Sequence, residues 1–159
     1  MSLKKTNAAR FLDTLKLPYE MTSYDVDEED LSATHAASAL GVDAACVFKT
    51  LVARDDAKHI LVACIPAAEE IDLKALARVA GVKRCELVAV KELLGLTGYI
   101  RGGCSPFAMK KPYPTFIHQS VHEHENVYVS AGLRGVQLCL SPSVLIQGTK
   151  ALCAAIIKL

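Results

Sequence analysis

Two apolar runs separated by a short polar turn constrain this chain more than any other feature. The first is Cys46-Val47-Phe48-Lys49-Thr50-Leu51-Val52-Ala53 and the second runs from His59 to Ile65, with Arg54-Asp55-Asp56-Ala57-Lys58 between them. This pattern predicts a β-hairpin at the centre of the fold. Alternate side chains of a strand share a face, so Lys49 points the same way as Val47 and Leu51. Lysine is almost never fully buried without a partner, so Lys49 marks either a cleft where its head group meets a ligand or an edge where it reaches water.

The 159 residues fit a single domain, 1–159, large enough to bury a sizeable core. Mean hydropathy is +0.27, yet each apolar run is broken by a charge, Gly or Pro before it could span a membrane. The start, Met1 to Asn7, has two lysines with no apolar stretch behind them, which argues against a secretory signal and for a cytoplasmic protein. Six cysteines are widely spaced with no CxxC pair, so they read as small core hydrophobes rather than disulfides or a zinc site. A net charge of +1 speaks against a protein that grips DNA or RNA by its bulk field. RNA contact would then rest on local patches, for which Lys4, Lys5, Arg10, Lys83, Arg84, Lys110, Lys111 and Arg134 are available.

Helices are expected after Thr6, ending at Pro18; after Ser32 or Thr34, closing at Gly41; after Asp72, closing at Gly81; at Lys91 to Leu94, ended by Gly95; and near Ser143 to Ile146. Strands are expected at Tyr19 to Tyr24, at the two hairpin arms, at Cys85 to Val88, Thr115 to His118, Asn126 to Ser130 and Val136 to Leu140. The last two are joined by the turn Ala131 to Gly135, and a final apolar segment covers Leu152 to Ile157. About seven strands with interspersed helices define a mixed α/β (α+β) class, with a mixed sheet curled over helices.

The segment Gly98-Tyr99-Ile100-Arg101-Gly102-Gly103-Cys104-Ser105-Pro106-Phe107 is the second unusual feature. Adjacent glycines let backbone N–H groups converge on an oxygen, as in an oxyanion hole, or simply build a tight turn. Neither Cys104 nor Ser105 has an evident base at a known spacing, and no GxSxG elbow is present. His122 and His124 flank Glu123 without a convincing third ligand, so no metal site is expected. HExxH, P-loop and dinucleotide motifs are missing, and no cofactor is expected.

In order and spacing, Thr22-Ser23-Tyr24, Val47 to Leu51, Ile71-Asp72-Leu73-Lys74, Gly98 to Phe107 with Lys110-Lys111, and Val129 to Gly135 form one signature over nearly the whole chain. It resembles the YbaK family, free-standing aminoacyl-tRNA deacylases related to the editing domain inserted in bacterial prolyl-tRNA synthetases. The resemblance implies a curved, largely antiparallel, barrel-like mixed sheet, with a pocket between the lysine strand and the Gly-Gly loop. It implies hydrolysis of the ester joining a wrong amino acid to the 3′ end of tRNA, typically cysteine on proline tRNA. A pocket that admits proline rejects ligands of similar size by only about 1–3 kcal/mol, so a separate hydrolytic sieve is needed. Substrate groups such as the cysteine thiol or the ribose hydroxyl are thought to attack, while the protein orients and stabilises charge.

On this resemblance Lys49 holds a phosphate or ribose oxygen, amides of Gly102 and Gly103 receive the oxyanion, and Ser105 and Pro106 shape their loop. Tyr24 closes one wall, and Ser130 and Gly132 leave room for the 3′ end. Gln137 replaces an aspartate, and Ser32 a large aromatic residue, of the family's cysteine-specific members. The amino acid edited is therefore open, with Ala and Ser as alternatives to Cys. The implied partners are the tRNA 3′ end and a prolyl-tRNA synthetase, with no membrane and no DNA. Other readings are an idle module that binds the tRNA end or a synthetase, and a general esterase for small aminoacyl compounds.

Overall fold

The computed structural model describes residues 3–159; Met1 and Ser2 of the expected domain lie outside it. Helix α1, Asn7–Thr14, is capped by Thr6, whose hydroxyl accepts from the Ala9 amide at 3.2 Å. It stops before Pro18, because Lys16 already adopts a left-handed φ of 58°. Strand β1, Glu20–Ser23, follows, and then α2, Ala33–Leu40, with Ser32 as its cap. The hairpin appears as β2, Phe48–Asp55, and β3, Ile60–Pro66. Buried Asp55 closes it by accepting from the amides of Ala57 and His59, both at 2.8 Å.

Helix α3, Leu73–Ala80, is capped by Asp72 and ends at Gly81, which takes a φ of 75°. Strand β4 is only Cys85–Leu87. Helix α4, Val90–Thr97, continues past the expected stop at Gly95 and ends at Gly98. After β5, Thr115–His118, come β6, Val127–Leu133, and β7, Val136–Leu140. Helix α5, Pro142–Thr149, and β8, Leu152–Ala154, complete the chain.

The mixed α/β class holds, but the hydrogen-bond ladders give two sheets in place of one barrel-like sheet. A three-stranded antiparallel sheet has the order β1-β7-β6, and a five-stranded mixed sheet the order β4-β2-β3-β5-β8. No ladder closes into a barrel among the described residues. Among the described residues β1, β6 and β7 form ladders with one another alone, and β8, which lacked a strand signature of its own, adds a parallel edge beside β5. The sheets touch through one parallel bridge, Val47 to Tyr128.

One core fills the space between the sheets and against α1 and α5, with Phe48, Ile117, Leu138 and Leu145 at most 1% exposed. A second lies under α3, where Ile65, Leu76 and Ile156 are fully buried. Burying each such side chain contributes about 1.5–3 kcal/mol. The six cysteines are free thiols, with Cys64 and Cys104 buried in the cores. No helix among the described residues is long and apolar enough to cross a membrane.

Candidate active site

Strand β2 is covered unevenly, and this opens the site. Strand β4 pairs only with Ala53, Arg54 and Asp55, so the first half of β2 has no neighbour on that side from its own sheet. Val47 O accepts from Ala67 N and Asp55 N donates to His59 O, which turns odd-numbered residues toward β3. Antiparallel pairing alternates, so the N–H and C=O of Thr50 face the open side. A cavity of about 370 Å³ lies there, within the size range of ligand clefts. Its wall gathers Tyr24, Ser32, Lys49, Gly102, Ser130 and Gln137 from four separate stretches of sequence.

Lys49 is half-buried at this cavity, opposite Ile65 in the β2–β3 register. Burial pushes its ammonium below the ordinary lysine value, and the Glu70 and Glu69 carboxylates pull it part of the way back. Lys49 therefore lines a cleft in this fold.

Gln137 is 6% exposed, and its Oε1 has no hydrogen-bond partner among the described residues. It stands between Thr22 and Ser130 in the small sheet. The Ser130 hydroxyl accepts from the Gly132 amide at 3.1 Å, which leaves its own proton to donate. Tyr24 is held by its N–H to Gly135 O, 2.9 Å, and its ring meets His35 edge-on. Ser32 is at the wall but committed to α2: its Oγ accepts from His35 N at 3.2 Å and donates to Asp30 at 2.6 Å.

The glycine loop departs from the expected arrangement. Gly102 reaches the cavity with a φ of 84°, but Gly103 is not on its wall and its N–H donates to Ile100 O at 2.9 Å. That amide closes a turn, so it is not presented to the cavity as an oxyanion donor. Gly103 serves close packing instead, since a Cβ there would lie 3.1 Å from Arg134 N and 3.2 Å from Leu133 C. Ser105 is fully buried and accepts from Phe107 N, and Pro106 is buried off the wall. Gly132 also stands off the wall, backed onto the Tyr99 ring.

Cys104 does line the cavity, but burial pushes its thiol up to about 12, far from a neutral-pH nucleophile. Sequence reasoning missed Thr50, Leu87, Val90 and Arg101 on the wall. Leu87 and Val90 are large, 45% and 60% exposed, and stand at the cavity. No group of three His, Cys, Asp or Glu side chains among the described residues could hold a metal ion.

The fold and cleft thus define an α/β domain that sets Lys49 and Arg101 on the wall of a largely apolar pocket in which Ser130 and Gln137 are hydrogen-bonding groups. The chain belongs to the aminoacyl-tRNA editing domain family, whose model matches residues 27–147. It is 41% identical over 146 residues to an Enterococcus faecalis protein provisionally named Cys-tRNA(Pro)/Cys-tRNA(Cys) deacylase EbsC, covering 92% of this chain and 89% of that one. Two solved structures share the fold. One is hypothetical protein APE2540, with TM-score 0.85 and 23% identity over 94% of this chain and 97% of that one. The other is provisionally described as a trans-editing enzyme for prolyl tRNA synthetase, with TM-score 0.83 and 20% identity over 98% and 100%.

Proposed function

We propose that the chain is an aminoacyl-tRNA deacylase that edits in trans, with Cys-tRNA(Pro) as its substrate. The observation that carries this reading is the meeting of Lys49, Gly102, Ser130 and Gln137 on one cavity wall in a member of the editing-domain family. The Lys49 ammonium anchors a phosphate or ribose oxygen of the terminal adenosine, which holds the ester over the cleft. The aminoacyl group lies toward Ser130 and Gln137, whose hydroxyl and amide suit a small polar side chain. The acyl–oxygen bond breaks, and the tRNA leaves with a free 3′ hydroxyl.

The attacking group comes from the substrate or from water, since the two candidate side chains are unsuited to it. The Cys104 thiol is held protonated by burial, and Ser105 sits in the core. With Gly103 committed to its turn, the amides of Gly102 and Thr50 are the donors nearest to the role of stabilising the oxyanion. The net charge of +1 favours a synthetase partner in the cytoplasm that supplies part of the grip on RNA.

Deacylation of proline tRNA charged with Cys, Ala or Ser tests the reading. Wild type is expected to turn over the Cys ester fastest. Lys49→Ala, with its fold checked by circular dichroism, is expected to lose about 10- to 100-fold in kcat/KM. Equal turnover by Lys49→Ala would remove the anchor role. Binding of tRNA without turnover of any ester would favour the non-catalytic module.

A further inference from the structure

A second cavity, of about 560 Å³, adjoins the first and is lined by Lys49, Leu51, Glu70, Asp72, Lys74 and Lys158 among others. Three residues, Lys49, Leu51 and Leu87, line both cavities. The two cavities therefore meet along these residues, and Lys49 belongs to both walls. We propose that this second cavity takes the single-stranded nucleotides that lead to the esterified terminus, with Lys74 and Lys158 meeting their phosphates. The proposal rests on the deacylase reading: a ligand whose acyl end enters the first cavity and whose phosphate meets Lys49 continues into the second.

The charges in the cavity support a phosphodiester occupant. Of its two acids, Asp72 is engaged as the cap of α3, accepting from Ala75 N at 3.0 Å. Glu70 pairs with Lys158 at 3.4 Å, in a contact whose side chains are 76% and 63% exposed. Such an exposed pair is worth little, so Lys158 can exchange Glu70 for a phosphate at small cost. Lys74 is exposed and forms no ion pair among the described residues. Leu51 and Leu87 supply apolar surface against which a base can lie, in a cavity whose wall also carries Lys49, Lys74 and Lys158. In a chain with a net charge of +1, such a local track is the means by which it can hold a polyanion.

The test is equilibrium binding of a short single-stranded RNA with the tRNA 3′ sequence CCA, read by fluorescence anisotropy over a salt series. Each phosphate contact on a single strand contributes about 0.7 to the slope of log affinity against log salt. Lys74→Gln and Lys158→Gln are each expected to lower that slope by about 0.7, and the double variant by about 1.4. A fourfold rise in salt should then weaken each single variant roughly threefold less than wild type. Adenosine monophosphate, with one phosphate and no strand, should bind all these proteins alike, and Lys16→Gln, on neither cavity, should match wild type. Variants with wild-type slopes, or a wild type that does not bind the RNA, would overturn the proposal. Lysine-dependent binding without turnover of any mischarged tRNA would keep the subsite and reject the deacylase reading; turnover with wild-type slopes in both variants would do the reverse.

Discussion

The guanidinium of Arg134 donates through Nε to the backbone carbonyl of Arg101 at 2.9 Å, joining the turn between β6 and β7 to the glycine loop. Its Nη1 meets Glu28, in the segment between β1 and α2, at 3.1 Å, so one side chain ties this segment to the other two. Arg134→Ala is expected to lower kcat/KM by about tenfold while shifting Tm little, since its ion-pair partner Glu28 is largely exposed. Arg134→Lys keeps the charge but cannot span both partners, so it should remain impaired. Full activity in the lysine variant would show that charge alone matters here.

Gln137 buries a carbonyl oxygen that nothing in the described chain satisfies. An unmet buried acceptor costs stability, and a ligand that donates to it regains that cost. Gln137→Met fills nearly the same volume without the polar atoms. It should fold at least as stably as wild type, yet lose about tenfold or more in kcat/KM. A chemical denaturation curve measured beside the deacylation rate separates the two effects, and unchanged turnover would remove Gln137 from the pocket chemistry.

Gly132 has a φ of 101°, and a Cβ there would fall 2.8 Å from Tyr99 Cε1. The Tyr99 hydroxyl donates to Phe107 O, so the ring cannot simply move away. Gly132→Ala combines backbone strain with overpacking, and about 1–3 kcal/mol of destabilisation is expected. Differential scanning calorimetry should show a Tm lower by about 3 to 10 °C.

His118 Nδ1 accepts from Ile156 N at 3.2 Å, an arrangement that needs the neutral ring. Burial holds its pKa below the ordinary histidine value, against the opposing pull of Glu123 and Glu69. The unfolded chain thus takes up the proton first, so this group's contribution is complete above the unfolded pKa and declines as pH falls below about 6.5. His118→Asn keeps an acceptor but cannot titrate. It should flatten the dependence of Tm on pH between roughly 7 and 5, and an unaltered slope would assign that dependence to other groups.

Much of this architecture was legible because its signals are local. Thr6, Ser32 and Asp72 each accept an amide in the first turn of the helix they precede, and Asp55 closes a hairpin visible as two apolar arms. Gly95 misled because a glycine reads as a stop, whereas Leu93 and Leu96 on either side pack with Val52 and Tyr99 and carry α4 onward to Gly98. The division into two sheets depends on pairings distant in sequence, such as Phe116 with Leu152, which no window of neighbouring residues reveals. At the site, the oddity of a lysine in a strand was readable. The use of the Gly103 amide inside its own turn was not, because that depends on the path of the loop over Leu133 and Arg134.

The brevity of β4 has one more result. An exposed strand edge is a template on which a second chain can pair, and a charged residue placed on it is among the devices that prevent this. Lys49 stands on the uncovered half of β2, so the same ammonium that lines the cleft also places a charge along that open edge. A neutral replacement at this position therefore removes charge from the cleft and from the strand edge together.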